Sequence, residues 1–224
     1  MENNRNTRRP CVDRNRQEYD LRIIEDRTIE STTGRKPLNE RDHWLSLTRD
    51  DFVEDESVTL FNILSDIEDG LPPWLAYDEP GRILEIGCGY GRLTERIAQM
   101  YPKCEVLGVD INKKLFPKGG AAKYRRCDSL LDLRGYSFDA IYSVTVFQHL
   151  TFEQQMVYIH ESYMMLKKDG VLRVQFIDDD VDGFLDHHAS VSQMEFWMRS
   201  AGFTSIRFDQ GSVHPQWIWM TGVK

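Results

Sequence analysis

Three glycines at alternate positions, Gly87, Gly89 and Gly91, follow an apolar run with one acid in it, Ile83-Leu84-Glu85-Ile86, and precede an amphipathic stretch from Arg92. Glycine at every second position lets the backbone turn sharply and leaves main-chain amides open to a ligand. Nineteen residues beyond Gly91, a second apolar run, Val106-Leu107-Gly108-Val109, ends in Asp110. A carboxylate at that interval suits the two hydroxyls of a ribose across a sheet edge. The pairing reads as a nucleoside-cofactor site.

A dinucleotide-binding turn needs G-x-G-x-x-G. Gly87 and Gly89 fit it, but Arg92 stands where the third glycine belongs. A long arginine there obstructs close helix–strand contact. Glu85 argues the same way, since a carboxylate beside the loop repels a pyrophosphate. It can instead fix the loop or accept a hydrogen bond from a cationic amine. A plain tight turn is the bland alternative, and the placement of Asp110 argues against it.

Glu85-Ile86-Gly87-Cys88-Gly89-Tyr90-Gly91 followed by Asp110 resembles the class I S-adenosylmethionine-dependent methyltransferases. Cys127-Asp128-Ser129 stands where that family has a loop contacting adenine, and Phe138 to Leu150 resembles its fourth strand and the following helix start. The resemblance covers roughly residues 75 to 224. It implies S-adenosyl-L-methionine as cofactor, with Glu85, Gly87, Cys88, Gly89 and Gly91 around the methionine portion and Asp110 on the ribose. It implies Ile111 on the adenine face, Asp128 accepting from the adenine amino group, and Cys127 and Ser129 flanking it. Ser143 and Val144 are expected to line the methionine end. The sulfonium methyl is already activated, so the enzyme's work is to hold donor and acceptor in line and exclude water. His149, just past the fourth strand, is the candidate catalytic base; a histidine with no catalytic part is the other reading.

A chain of 224 residues can bury a substantial core as one domain. Its net charge of −8 argues against broad nucleic-acid binding. No apolar run is long enough to span a membrane, and no secretory signal is expected at the N-terminus. The four cysteines, Cys11, Cys88, Cys104 and Cys127, form no C-x-x-C pair, which suits reduced thiols and a cytoplasmic location. Residues 1–20 hold five arginines and little apolar content, and are expected to be a disordered tail, with a polyanion contact as the alternative. Residues 21–77 read as an N-terminal helical lid: Val58, Phe61, Leu64 and Ile67 recur every three residues before Gly70. Trp44 and Trp74 are lid candidates, with plain core as the rival. The resemblance implies a methyltransferase domain over residues 78–224.

Strands are predicted at 82–86, 105–109, 122–127, 138–143, 171–177, 203–208 and 216–222. Thr151 and Gln154 form a capping box opening a helix that Gly170 is expected to close. Ser190 and Gln193 open another, ended by Gly202. Alternating βα units imply a parallel sheet with helices on both faces. Asp209 to Pro215 is too short for a crossover, so the last two strands are expected to be antiparallel. The fold class is therefore α/β: a Rossmann-like, doubly wound seven-stranded sheet, mostly parallel with an antiparallel last strand. Between Asp110 and the third strand, Ile111 to Ala121 leaves little room for the family's usual helix.

The acceptor is expected to be a small molecule. Ser143-Val144-Thr145-Val146 is not the tetrapeptide of adenine- and cytosine-amino methyltransferases. A Pro-Cys pair for cytosine C5 chemistry and the paired glutamates of arginine methyltransferases are missing as well. The run Asp178-Asp179-Asp180 with Asp182, His187 and His188 reads as a solvated charge run, with a loop that binds a cation or a polar acceptor as the alternative, and no metal is expected. Trp217 and Trp219 alternate onto one face as sheet contacts. A methyltransferase-fold protein that binds cofactor or partner without transfer is the alternative function.

Overall fold

The computed structural model describes residues 40–51, 58–73, 75, 80–178 and 187–224. The chain divides into two units, Met1–Leu38 and Asn39–Lys224, and every described residue falls in the second. The tail 1–20, Cys11, Trp74, and Asp179 to Asp182 of the acidic run lie outside the described residues.

Seven strands form one sheet: β1 (Arg82–Ile86), β2 (Glu105–Asp110), β3 (Lys123–Arg126), β4 (Phe138–Ser143), β5 (Leu166–Ile177), β6 (Thr204–Gln210) and β7 (Trp217–Val223). Their order is β3-β2-β1-β4-β5-β7-β6. β7 runs antiparallel to both β5 and β6, while the ladders from β3 through β5 are parallel. The short β6–β7 turn forces the reversal, as the spacing predicts. The Rossmann-like fold class expected from sequence is the one observed.

Five α-helices accompany the sheet among the described residues: α1 (Glu40–Ser46), α2 (Val58–Glu68), α3 (Arg92–Met100), α4 (Phe152–Met165) and α5 (Val191–Ala201). Ile159, Met194, Trp197 and Met198 of α4 and α5 bury against one face of the sheet. Ile63, Ile67 and Ile97 of α2 and α3 bury against the other, with Trp219 and Trp217 on that side. Side chains alternate across β1 accordingly: Leu84 and Ile86 join the first cluster and Ile83 the second.

Local signals mostly hold. The Thr151–Gln154 capping box forms in both directions, Ser190 caps α5, and Gly202 ends it in the left-handed region at φ 109°. Only a 3-10 turn at Lys113–Leu115 occupies the short stretch after β2. Two expectations fail. Gly170 does not close α4, which ends at Met165; it lies inside β5, whose register shifts between Leu166 and Val171. Phe61 is 74 % exposed, and Leu60, Ile63 and Ile67 form the buried stripe of α2 instead. A strict three-residue spacing drifts around a helix of 3.6 residues per turn, so it does not stay on one face.

Candidate functional site

The carboxyl ends of β1, β2 and β4 converge on the glycine loop, where open parallel sheets receive ligands. Gly87, Gly89 and Gly91 all adopt positive φ, at 72°, 52° and 82°. They are not equivalent. A Cβ on Gly87 would strike Val146, and one on Gly91 would lie 2.5 Å from the Tyr124 hydroxyl. A Cβ on Gly89 would meet nothing within 4 Å. Gly89 is thus the loop position that offers a bare surface to a ligand.

The amides are not bare, contrary to the expectation from spacing. Gly87 and Cys88 donate to the Val109 carbonyl at 2.8 and 3.0 Å, and Gly91 donates to the Cys88 carbonyl at 2.9 Å. Gly89 donates to Asp110 Oδ2 at 2.9 Å. Backbone donors pair with backbone, side chain or water, and here the partners of these four come from the chain itself. What the loop offers a ligand here is the open flank of Gly89.

Glu85 is buried beneath the loop. Its Oε2 accepts from Thr94 Oγ1 at 2.5 Å and from Tyr142 Oη at 2.9 Å, tying β1 to α3 and β4. Of the two sequence readings, the structure places Glu85 as the group that fixes the loop. Burial pushes its carboxyl up to about 7, against the two hydroxyl donors. Cys88 is also buried, and burial raises its thiol far above the ordinary range. Its sulfur lies against Gly108 of β2, so the side chain is a packing group.

Asp110 ends β2 beside the loop. Oδ1 accepts from the Asn112 amide at 2.8 Å, while Oδ2 holds Gly89. Burial raises its carboxyl, and the amides of Asn112, Gly89 and Ile111 oppose that rise. Asn112 is almost fully buried and went unnoticed in the sequence. Its Nδ2 donates to the carbonyls of Trp44 and Leu47, each at 2.9 Å, and so anchors the segment around α1. Ile111 is half-buried, and its carbonyl accepts from Arg126 Nε at 3.2 Å.

Asp128 is gripped by two arginines, Arg41 at 2.5 Å and Arg126 at 3.0 Å. The Arg41 hydrogen bond is the main cause holding its carboxyl below the ordinary range. Cys127 is buried in the core, and burial pushes its thiol up to about 11. Ser129 donates to Glu161 Oε1 at 2.9 Å and caps the 3-10 turn Leu130–Leu133.

At the end of β4, Ser143 is fully buried and donates to the Ile86 carbonyl at 3.1 Å. Val144 joins the core on the α2/α3 face. Neither side chain lines open space, contrary to expectation, because β4 is central and covered on both faces; a ligand there meets their backbone. Thr145 follows at φ 55°, its amide donating to Gln175 Oε1 at 2.8 Å. A non-glycine residue in the left-handed region costs about 1–2 kcal/mol and persists where its surroundings hold it. No pattern in the sequence marked Thr145.

His149 ends the 3-10 turn Phe147–His149, its ring 4.7 Å from that of Trp44. Arg49 lies over Tyr90 of the glycine loop at 5.9 Å. Residues 41–49 thus touch the glycine loop, the β2 end, the loop at Asp128 and His149. Among the described residues no cluster of three metal-ligating side chains forms, and no helix is long and apolar enough to cross a membrane.

A family model described as a methyltransferase domain matches residues 84–174. Trans-aconitate 2-methyltransferase of Deinococcus radiodurans is 29 % identical over 136 residues, covering 58 % of this chain and 51 % of that protein. Malonyl-[acyl-carrier protein] O-methyltransferase of Bacillus cereus is 30 % identical over 131 residues, 56 % of this chain and 47 % of its own. The chain therefore spans about half the length of these curated relatives. The solved 1,6-didemethyltoxoflavin-N1-methyltransferase of Burkholderia thailandensis, with bound 1,6-didemethyltoxoflavin and S-adenosylhomocysteine, shares the fold. Its TM-score is 0.63 at 18 % identity, over 85 % of this chain and 92 % of that one.

Proposed function

Because residues 84–174 match a methyltransferase-domain model and the sheet has the order β3-β2-β1-β4-β5-β7-β6, we propose that this chain is a class I S-adenosylmethionine-dependent methyltransferase, transferring a methyl group from S-adenosyl-L-methionine to a small-molecule acceptor. The observation that carries the reading is the open flank of Gly89 next to the Asp110 carboxylate, a cradle that any Cβ would fill. When bound, the cofactor supplies an activated methyl on a sulfonium. The chain's own residues then orient and enclose. Asp110 holds the ribose hydroxyls, and the Gly87–Gly91 loop, with Cys88 behind it and Glu85 beneath, takes the methionine portion. Ile111 covers the adenine, flanked by Cys127 and Ser129, with Asp128 accepting from its amino group. The backbone of Ser143 and Val144 closes the methionine end. His149 accepts a proton where the acceptor brings one.

Within the 21–77 segment expected to be a lid, the described residues 40–51 act as the cover on the domain at 78–224; residues 1–39 lie outside the described residues. Support for the lid lies in the contacts of Arg41, Trp44 and Arg49 around the site. The two curated relatives are named for aconitate and for a malonyl group, both carboxylates, and we take an anionic acceptor as the working class here. We place the protein in the cytoplasm, away from membranes and nucleic acid.

Calorimetric titration with S-adenosylhomocysteine, followed by a labelled-methyl screen of metabolite extracts, tests the reading. Saturable binding and label in a small acceptor support it. Binding without label in any acceptor favours a cofactor-binding protein that performs no transfer. No binding overturns it.

A further inference from the structure

Ile111 to Cys127 contains six basic residues, Lys113, Lys114, Lys118, Lys123, Arg125 and Arg126, and no acidic one. The whole chain carries −8; with +6 placed here, the remainder carries −14. All six side chains are exposed. They follow one edge of the sheet: β3 pairs with β2 alone, and the Phe116 ring lies 5.6 Å from that of Tyr124, fastening the preceding loop to the strand.

Some of this charge is used locally. Lys123 pairs with Glu105 and Arg126 with Asp128, and Lys114 reaches the Leu45 carbonyl at 3.5 Å. Among the described residues, Lys113, Lys118 and Arg125 lie within ion-pair distance of no carboxylate. Edge strands often carry lysine to discourage pairing with other chains. That accounts for Lys123 and Arg125, but not for Lys113, Lys114 and Lys118, which precede the strand. A concentrated positive patch on an acidic protein steers an oppositely charged partner to one place.

We propose that the β3 edge docks a small acidic protein that presents the methyl acceptor at the site; this rests on the function proposed above. Position favours it. Arg126 pairs in register with Asp110, so the basic edge runs up to the strand end where the site opens. Size favours a protein surface over a long nucleic acid: four residues of strand span about 13 Å. The rest of the chain sums to −14, a net charge that disfavours a long polyphosphate.

The test titrates a labelled acyl carrier protein, a small acidic protein, into the full chain by fluorescence anisotropy at low and at physiological salt. The parent is compared with K113E/K118E/R125E and with the neutralised K113Q/K118Q/R125Q, while circular dichroism melting checks each fold. Expected are binding at low salt that weakens steeply with added salt, a loss of about tenfold or more in the reversed variant, and a smaller loss in the neutralised one. S-adenosylhomocysteine binding should be the same in all three. Equal carrier binding by parent and reversed variant, no carrier binding by the parent, or equally tight binding of a single-stranded oligonucleotide would each overturn the proposal. Failure of the parent to bind S-adenosylhomocysteine strikes instead at the methyltransferase reading, while the carrier titration judges the docking surface.

Discussion

Gly89 donates its backbone N–H to the carboxylate of Asp110 at 2.9 Å, joining the two halves of the sequence motif directly. The acid that the ribose reading needs is already organising the loop from which it was inferred. Asp110→Ala removes the acceptor for both Gly89 and Asn112 as well as the ribose contact. S-adenosylhomocysteine binding should weaken by about 1–3 kcal/mol, the cost of leaving buried polar groups unpaired. Calorimetry on the variant checks this, and unchanged affinity removes Asp110 from the ribose.

The three glycines separate folding from binding. Gly89→Ala suffers only left-handed strain, about 1–2 kcal/mol, and its methyl enters the open cradle. It should fold with a modestly lowered melting temperature and lose cofactor affinity. Gly91→Ala adds a clash with Tyr124, and Gly87→Ala one with Val146. Both should melt well below Gly89→Ala in a thermal scan. Equal melting of all three would refute the distinction.

Glu85 makes stability depend on pH. Its folded value near 7 lies above the ordinary 4.5, so the native state holds the proton more tightly than the unfolded chain. Its contribution is therefore complete below about pH 4.5 and lost as pH rises through 7. The difference is on the order of 3 kcal/mol. Urea unfolding at pH 5 and pH 8 should show this loss in the parent, and Glu85→Gln, which cannot ionise, should lack that part of the slope.

His149→Ala should slow methyl transfer while leaving S-adenosylhomocysteine affinity within about twofold, as expected for a group met by the acceptor alone. Single-turnover rates beside calorimetry separate the two. A parallel loss in both would mark His149 as a support for Trp44, whose ring it touches.

Arg173 on β5 fastens α2 to the sheet. Its Nε donates to the Asp66 carbonyl at 2.6 Å, and one terminal nitrogen donates to Thr221 Oγ1 at 2.7 Å and Asp209 Oδ2 at 3.1 Å. Arg207 donates to the Asp69 carbonyl close by, so two arginines meet carbonyls at the end of α2, where its dipole is negative. Arg173 is 2 % exposed, and Arg173→Ala strands these acceptors. A loss of about 3–5 kcal/mol in denaturant unfolding is expected.

Adjacent residues determined much of this molecule. The apolar runs, the Thr151–Gln154 box and Gly202 fixed strands and helix ends because each acts over one turn or one pleat. The shortness of 209–215 settled the reversal of β7, since chain length alone forbids a crossover there. The motif 85–91 with Asp110 placed the three glycines in one loop beside the β2 carboxylate, because a strand–turn–helix positions its glycines by local geometry. What the tertiary structure decided involves partners far apart in sequence. Asn112 reaching back to Trp44, Arg41 gripping Asp128, and the strained Thr145 held by Gln175 have no local signature. The same holds for the loop amides, which satisfied themselves on Val109 and Asp110 once β2 lay beside β1. Hydrogen-bonding groups must find partners wherever folding brings them, and a linear spacing does not record which one arrives.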